Sequence, residues 1–432
     1  MLSEKQKTCS SFRPYLALTL LIIVIGIPST IRADVVTEWN QIALNMASAI
    51  NPQFAPQTRA LTMVHVAMFD AVNSIDHRFS TYATRLHAPS GASPEAAAAT
   101  AAYRVLLALA PTQQVNLDTA YAASLAQVVD GVSKTDGITV GEAIAGAILA
   151  LRSGDGSSTT LPYTQLPGPG VWQPTPPAFL PANNVAWGNV LPFTMRSFLA
   201  EPPPALTSED YTEDFNEVKR LGSINSTERT ADQTEAANFW VEASTITWNR
   251  IARLAAGARG NSLSDNARLF ALLNMAAADG IIAGFNTKYT YNFWRPVTAI
   301  RAADTDGNPD TVADPTWTPL VVTPRFPDYT SNHTIYSAAA AKVLASFFHR
   351  DHFDFSIASS TAPGAVRSYH SFSQAAKECG LARIWVGFHF RTAVRLGFKQ
   401  GKQVGSFAFK HSLKPVNRED RDEGDDEDEA HD

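Results

Sequence analysis

The sequence has little cysteine, and this excludes several kinds of site. Of its 432 residues only Cys9 and Cys379 are cysteines, and Cys9 lies in an N-terminal segment that the sequence predicts to be removed. A single remaining thiol excludes an internal disulfide, a multi-thiolate metal site and a Cys-x-x-Cys redox pair. We expect Cys379 to be a small buried residue rather than a nucleophile.

The body of the chain also lacks a strong net charge. The whole chain carries −6, but residues 418–432 alone carry −8, which leaves +2 for the remainder. A nearly neutral body favours neither a nucleic acid nor an anionic membrane as partner. The acidic segment 416–432 has too few apolar residues to fold, so we expect it to be a disordered, solvated tail.

Long hydrophobic runs are missing from the chain after its N-terminal segment: no later stretch has 18 uninterrupted apolar residues. Near the start, basic residues precede a mostly apolar run from Tyr15 to Pro28, and small residues follow it up to Ala33. This layout predicts a signal peptide over residues 1–33 and export to the periplasm or the extracellular space. The run is short for a membrane span, although an uncleaved anchor is the alternative. After cleavage we expect no association with a membrane.

Alternating strand patterns and fixed-period repeats are absent as well. Apolar residues instead recur at helical spacing through residues 34–152 and again through 208–415. Between them, residues 153–207 are crowded with proline and glycine and predict a long connecting loop that packs on the body. The pattern therefore predicts an all-α protein, with two regions of helix bundles joined by a Pro-rich loop.

Three clusters supply the chemistry of the C-terminal region. The first runs from Lys288 to Pro296, the second from Pro327 to His333 and the third from Arg383 to His389. Together they provide three long cationic side chains, two histidines and a helix start, which suit the binding of an oxyanion. No Gly-rich phosphate loop, Gly-x-Ser-x-Gly elbow or His-Glu-x-x-His motif competes with them.

The spacing within each cluster gives an expectation about its geometry. Lys288 and Arg295 are nearly two helical turns apart, so they are expected on one side of a helix that Pro296 limits. Ser331 is a candidate cap for a helix over 333–348, with His333 at the mouth of its anion-binding end. Arg383 and His389 would lie about 120° apart on a single helix.

Each cluster also has a simpler explanation. The first could be a pair of surface cations, the second a capped helix with an exposed histidine, and the third a basic amphipathic helix. The three clusters become informative through their order along the chain.

In that order, Lys288-x6-Arg295-Pro296, Ser331-x-His333 and Arg383-x5-His389 resemble the signature of a known superfamily. It comprises the vanadium-dependent haloperoxidases and the type 2 phosphatidic-acid-phosphatase-like acid phosphatases. The local sequences Phe293-Trp294-Arg295-Pro296 and Gly387-x-His389-Phe390-Arg391 are similar to the haloperoxidase branch. The motif-bearing part, Lys288 to Gly397, is about a quarter of the chain.

The resemblance implies the helical-bundle fold of that superfamily, a vanadate cofactor and a role for each matched residue. The three cations would neutralise the oxygens of vanadate, and Ser331 with the backbone N–H of Asn332 would add hydrogen bonds. His389 would bind the metal and His333 would act as acid–base partner. The cations in question are Lys288, Arg295 and Arg383.

The implied reaction is the oxidation of a halide by hydrogen peroxide to a hypohalous-acid equivalent, which a small organic acceptor consumes. The sequence is also compatible with a homo-oligomer. One alternative is an acid phosphatase that forms a phosphohistidine at His389. A second alternative is a catalytically degenerate helical protein that binds an oxyanion.

Two positions depart from the family pattern. Asn332 stands where the pattern has glycine, so we expect its side chain to crowd the anion site. Ala393 stands where the pattern has an acid one helical turn after the metal-binding histidine. The imidazole of His389 is therefore expected to be less well oriented and less basic, unless a carbonyl or another acid takes that place.

Overall fold

The computed structural model describes residues 34–84, 86–194 and 198–416. The predicted signal peptide and residues 417–432 of the predicted tail lie outside them. The described residues form thirteen α-helices and one two-stranded sheet. The helices are α1 Val35–Ile50, α2 Phe54–Asp76, α3 Pro94–Leu109, α4 Gln114–Leu125, α5 Val132–Leu151, α6 Glu209–Leu221, α7 Ala231–Phe239, α8 Ser244–Arg259, α9 Leu263–Tyr291, α10 Pro296–Arg301, α11 Asn332–Phe347, α12 Phe372–Trp385 and α13 Arg391–His411.

Helix α9 is the centre of the fold. It packs against α2 on one side and against α11 and α13 on the other. By length and composition it could cross a membrane, yet 94% of its most apolar window is buried by the rest of the protein. A helix that is apolar all round is expected in the core of a large domain. The last turn of α9 brings Lys288 to the C-terminal helices.

The Pro/Gly-rich segment packs on the body, as its aromatic residues suggested. Its described residues form one short 3₁₀ turn, Trp187–Asn189, and no α-helix. The buried Asp279 of α9 accepts hydrogen bonds from the backbone N–H groups of Phe193 (2.6 Å) and Thr194 (2.8 Å). The described residues from Asp34 onward belong to one compact unit, and the division at 152 and 207 stays a prediction.

The hairpin was not predicted. Strand β1, His352–Ala358, pairs antiparallel with β2, Val366–Ser371. Phe355 and Tyr369 face each other across the hairpin and are buried against the helices. Strand β1 buries Phe355 and Ile357, but β2 buries only Tyr369. Such short alternation does not predict a hairpin from the sequence.

Candidate functional site

Lys288 is fully buried in the last turn of α9, and it organises the loop in front of α11. Its Nζ donates to the carbonyl oxygens of Pro327 (2.9 Å), Asp328 (2.8 Å) and Thr330 (2.6 Å). Burial, and then the charge of Arg295, hold the pKa of Lys288 well below its usual value. The ammonium thus holds three carbonyl groups of this loop while leaving its charge beside the site.

Arg295 does not continue the helix of Lys288, so the expectation of a shared helix was wrong. Helix α9 ends at Tyr291, and Arg295 precedes α10, which Pro296 opens. Proline suits that first position because its nitrogen needs no hydrogen bond there. Arg295 Nε donates to the carbonyl of Phe326 (2.8 Å) and Nη1 to that of Phe388 (2.9 Å). Its Nη2 is buried without a partner.

The start of α11 supplies the second cluster. Ser331 occupies the capping position as predicted, but its side chain does not cap the helix. Ser331 Oγ instead accepts a hydrogen bond from Thr334 Oγ1 (2.9 Å), and its backbone N–H donates to the carbonyl of Ala393 (3.1 Å). These bonds tie the first turn of α11 to α13. A serine that is fully buried here faces the interior rather than solvent.

His333 follows in the same turn and has a free ring nitrogen. Its ring stacks on that of Phe54, with centroids 5.8 Å apart and planes at 12°. Its Nε2 is buried without a partner. Burial, and then the charge of Arg383, lower the pKa of His333 well below 6.5. The imidazole is therefore neutral near pH 7 and able to accept a proton.

Arg383 and His389 lie on different elements, so the expectation of a single helix was wrong here too. Arg383 is in α12, while His389 lies in the turn before α13. Gly387 makes that turn possible with φ of +84°, and a Cβ there would lie 2.6 Å from the carbonyl oxygen of Gly222. The guanidinium of Arg383 is fully buried, and Nε, Nη1 and Nη2 have no partner.

The ring of His389 has a neighbour at each nitrogen. Nδ1 lies 2.7 Å from Oδ1 of Asp328, and Nε2 lies 3.2 Å from Nη1 of Arg295. Burial raises the pKa of Asp328 to about 7, against the opposing charges of Arg295 and Lys288. Burial and the neighbouring cations lower the pKa of His389 well below its usual value.

Asp328 thus supplies the carboxylate that the sequence lacks at position 393. The sequence analysis named no role for it, because residues 61 positions apart meet only through the tertiary fold. The one available signal was an acidic residue inside a loop that is otherwise apolar or neutral, Phe326 to Ser331.

Asn332 does not crowd the site in the expected way. Its side chain is directed at α9, where a Cβ on Gly284 would lie 2.3 Å from Asn332 Oδ1. Its backbone needs no unusual conformation, since Asn332 is not among the described residues with positive φ. The missing side chain at Gly284 therefore makes room for the extra side chain at Asn332. Both amide atoms of Asn332 are buried without a partner.

These groups define one anion site. Lys288, Arg295 and Arg383 each lower the pKa of His389, which shows that their charges converge on its ring. Buried donors without partners are costly and rare, so several of them in one place indicate a ligand. The donor set is cationic and planar-forked, which matches an oxyanion such as vanadate or phosphate. No group of three or more His, Cys, Asp or Glu among the described residues offers another metal site.

Comparisons with known proteins agree with this reading of the fold. A family model for the second helical-bundle domain of vanadium chloroperoxidase matches residues 268–418. The vanadium chloroperoxidase of Curvularia inaequalis is 26% identical over an alignment of 412 positions. The alignment covers 74% of this chain and 67% of that protein.

Solved structures show the same architecture. A bacterial vanadium-dependent iodoperoxidase is 25% identical, with a TM-score of 0.76 over 89% of this chain and 96% of that one. An apo-type bacterial vanadium-dependent chloroperoxidase is 17% identical, with a TM-score of 0.68 over 83% of this chain and 93% of that one, and supports the fold alone.

The helical fold and the buried oxyanion site are those expected of proteins of the haloperoxidase and acid-phosphatase type. The matches are to vanadium haloperoxidases, so the chain is similar to that branch.

Proposed function

We propose that this chain is a vanadium-dependent haloperoxidase, which uses hydrogen peroxide to oxidise a halide to a hypohalous-acid equivalent. A small organic acceptor would consume that product. The observation that carries the proposal is the set of buried, unpartnered donors around His389, above all the three nitrogens of Arg383. A protein without an anionic ligand would gain nothing from burying a guanidinium that makes no hydrogen bond.

Vanadate fits this donor set. Arg383 and the free Nη2 of Arg295 would bond its oxygens, and Lys288 would contribute charge while holding the loop. His389 would ligate vanadium through Nε2, the ring nitrogen that does not face Asp328. When bound, vanadate supplies a Lewis acid that activates peroxide towards halide without a change in the oxidation state of the metal.

His333 is the proton acceptor of the proposed site. Its lowered pKa keeps the imidazole neutral, and its buried Nε2 has no hydrogen-bond partner. Stacking on Phe54 fixes the plane of the ring. An entering molecule of hydrogen peroxide must lose a proton, and a neutral imidazole beside the anion site can take it.

A second candidate is an acid phosphatase, and one observation favours keeping it. The absence of an acid at Ala393 argued against activation of His389 as a nucleophile. The contact between Asp328 Oδ1 and His389 Nδ1 removes that objection, because a carboxylate at Nδ1 makes Nε2 more nucleophilic. Phosphate would occupy the same cations as vanadate.

One experiment separates the two functions. The protein is loaded with vanadate and assayed for peroxide-dependent halogenation of a phenolic dye with iodide, bromide and chloride. A parallel assay without vanadate measures hydrolysis of p-nitrophenyl phosphate. We expect halogenation with at least one halide, lost in Arg383→Met and kept in Arg104→Met, a change at a half-exposed arginine of α3. Hydrolysis without halogenation would favour the phosphatase, and vanadate binding with neither activity would favour a degenerate protein.

Export is a separate proposal, supported by the residue pattern of positions 1–33. We expect removal of the signal peptide after Ala33 and a periplasmic or extracellular mature protein. Mass spectrometry of the N-terminal peptide of the secreted protein tests this. An intact N-terminus in a membrane fraction would instead indicate an uncleaved anchor.

A further inference from the structure

We propose that Asp328 is the positioning residue of His389, holding its ring so that Nε2 faces the anion site. The proposal deepens the proposed function and rests on it only for the identity of the anion. Its first observation is the 2.7 Å contact between Asp328 Oδ1 and His389 Nδ1, made between two side chains that are almost fully buried.

The neighbours of the ring determine its tautomer. A guanidinium can only donate, so Arg295 Nη1, 3.2 Å from His389 Nε2, requires a lone pair on Nε2. The hydrogen of the neutral imidazole must then be on Nδ1, where Asp328 Oδ1 accepts it. The two contacts together select the form of His389 that presents a lone pair to an electrophilic centre beside Arg295.

The backbone around Asp328 is anchored independently of its carboxylate. Its N–H donates to the carbonyl of Phe293 (2.9 Å), and its own carbonyl accepts from Lys288 Nζ (2.8 Å). Two residues on, Thr330 Oγ1 donates to the side chain of Gln400 (2.7 Å). Loss of the carboxylate should therefore leave the loop in place. Besides His389, the carboxylate interacts with the backbone N–H of Phe390, the residue before α13.

Among the described residues, no other carboxylate forms a hydrogen bond or ion pair with this ring. The charge of Asp214 raises the pKa of Asp328, but Asp214 does not bond His389. Its Oδ2 accepts a hydrogen bond from the backbone N–H of Thr392 (2.9 Å). At position 393 an alanine is fully buried, and its carbonyl accepts from the backbone of Ser331. The orienting acid thus comes from the loop before α11 rather than from α13.

An acceptor at Nδ1 affects the ligand at Nε2 in two ways. It fixes the plane of the ring, and it makes Nε2 a better donor to a metal. Removing such a partner typically weakens metal binding roughly 10–100-fold. The same range is expected here for vanadate, because His389 would be its only protein ligand bonded directly to vanadium.

The test uses Asp328→Asn and Asp328→Ala, with Asp214→Asn as the matched control for loss of a buried carboxylate near α13. Vanadate affinity is measured by titration of tryptophan fluorescence, and ¹⁵N NMR of the histidine side chains reports the tautomer of His389 without any ligand. We expect affinity about 10–100-fold lower for both Asp328 variants. The Nδ1–H form of His389 should dominate in the wild type and be less populated in both variants, because only the contact with Arg295 then favours it.

A variant with the acid moved to position 393 gives a second test. In Asp328→Ala combined with Ala393→Asp, a carboxylate returns one turn after His389, and part of the lost affinity should return with it. Wild-type affinity and an unchanged His389 tautomer in Asp328→Asn would overturn the proposal, as would an equal loss in Asp214→Asn. If the wild type binds no vanadate, the proposed function fails, while the NMR measurement still decides the role of Asp328.

Discussion

Gly284 is expected to contribute to vanadate affinity because Asn332 has a side chain. A methyl group at position 284 would lie 2.3 Å from Asn332 Oδ1 and 2.9 Å from Ile335 Cδ1. Real Cβ atoms do not approach other atoms so closely, so Gly284→Ala must displace the Asn332 amide. Asn332 opens α11 between Ser331 and His333, so we expect a displaced amide to disturb the anion site at this end of the helix.

Two opposing effects set the magnitude for stability. Overpacking a closely packed contact typically costs about 1–3 kcal/mol. Replacing glycine by alanine within a helix returns about 1 kcal/mol, because alanine loses less conformational entropy. We therefore expect Gly284→Ala to lose about 0–2 kcal/mol of unfolding free energy, a small change. The larger effect should be on vanadate affinity, with a decrease of roughly tenfold, equivalent to about 1.4 kcal/mol.

The assay is a double-mutant cycle with Asn332→Gly. Urea unfolding and vanadate titration are measured for the wild type, both single variants and the double variant. The double variant should recover most of the affinity lost in Gly284→Ala, because the amide that the new methyl displaces is gone. Gly146→Ala in α5 is the matched control, since nothing lies within 4 Å of its added Cβ. That control should be neutral or slightly stabilising.

An unchanged vanadate affinity in Gly284→Ala would refute the reasoning, since the Asn332 amide would then move without disturbing the anion site. A loss of affinity that persists in the double variant would also refute it. In that case the damage would come from α9 itself rather than from the contact between the two residues.

Three further results are expected. Arg383→Met should abolish vanadate binding yet raise the thermal midpoint of the ligand-free protein, because the guanidinium is buried without hydrogen bonds; a lower midpoint would contradict this. Vanadate at 100 times its Kd should stabilise the wild type by about 2.7 kcal/mol in urea unfolding, but not Arg383→Met. Burial lowers the pKa of His65 to about 3 in the folded protein. As the pH falls below about 6.5, the unfolded chain therefore binds a proton at His65 that the folded protein does not, and stability decreases. Between pH 6.5 and 4.5 the wild type should lose about 2–3 kcal/mol more than His65→Gln, and equal losses would contradict the assignment.

The helices were predictable because their signals are local. Ser93 with Pro94 marks the start of α3, and the side chain of Ser93 caps that helix as such residues do. Helix α9, Leu263–Tyr291, lies within the helical spacing that the sequence shows through 208–415. The hairpin was missed because each strand turns only two large apolar residues or fewer towards the core.

The sequence predicted which residues would lie together, but it did not predict their geometry. Lys288, Arg295, Ser331, His333, Arg383 and His389 carry a recognisable order along the chain, and the fold does bring them together. Spacing alone put Lys288 and Arg295 on one helix and Arg383 and His389 on another. Both pairs are instead divided by a helix end, because Asn292 and Gly387 take up positive φ angles that end or reverse the helical path.

The sequence by itself determined the helical class, the set of cationic residues and the resemblance to the haloperoxidases, since each depends on residue types and their order. Only the tertiary structure decided how the two departures are accommodated. Gly284 makes room for Asn332 across the contact of α9 with α11, and Asp328 reaches His389 across 61 residues of chain. Contacts between distant segments depend on how helices pack, and no local pattern encodes them.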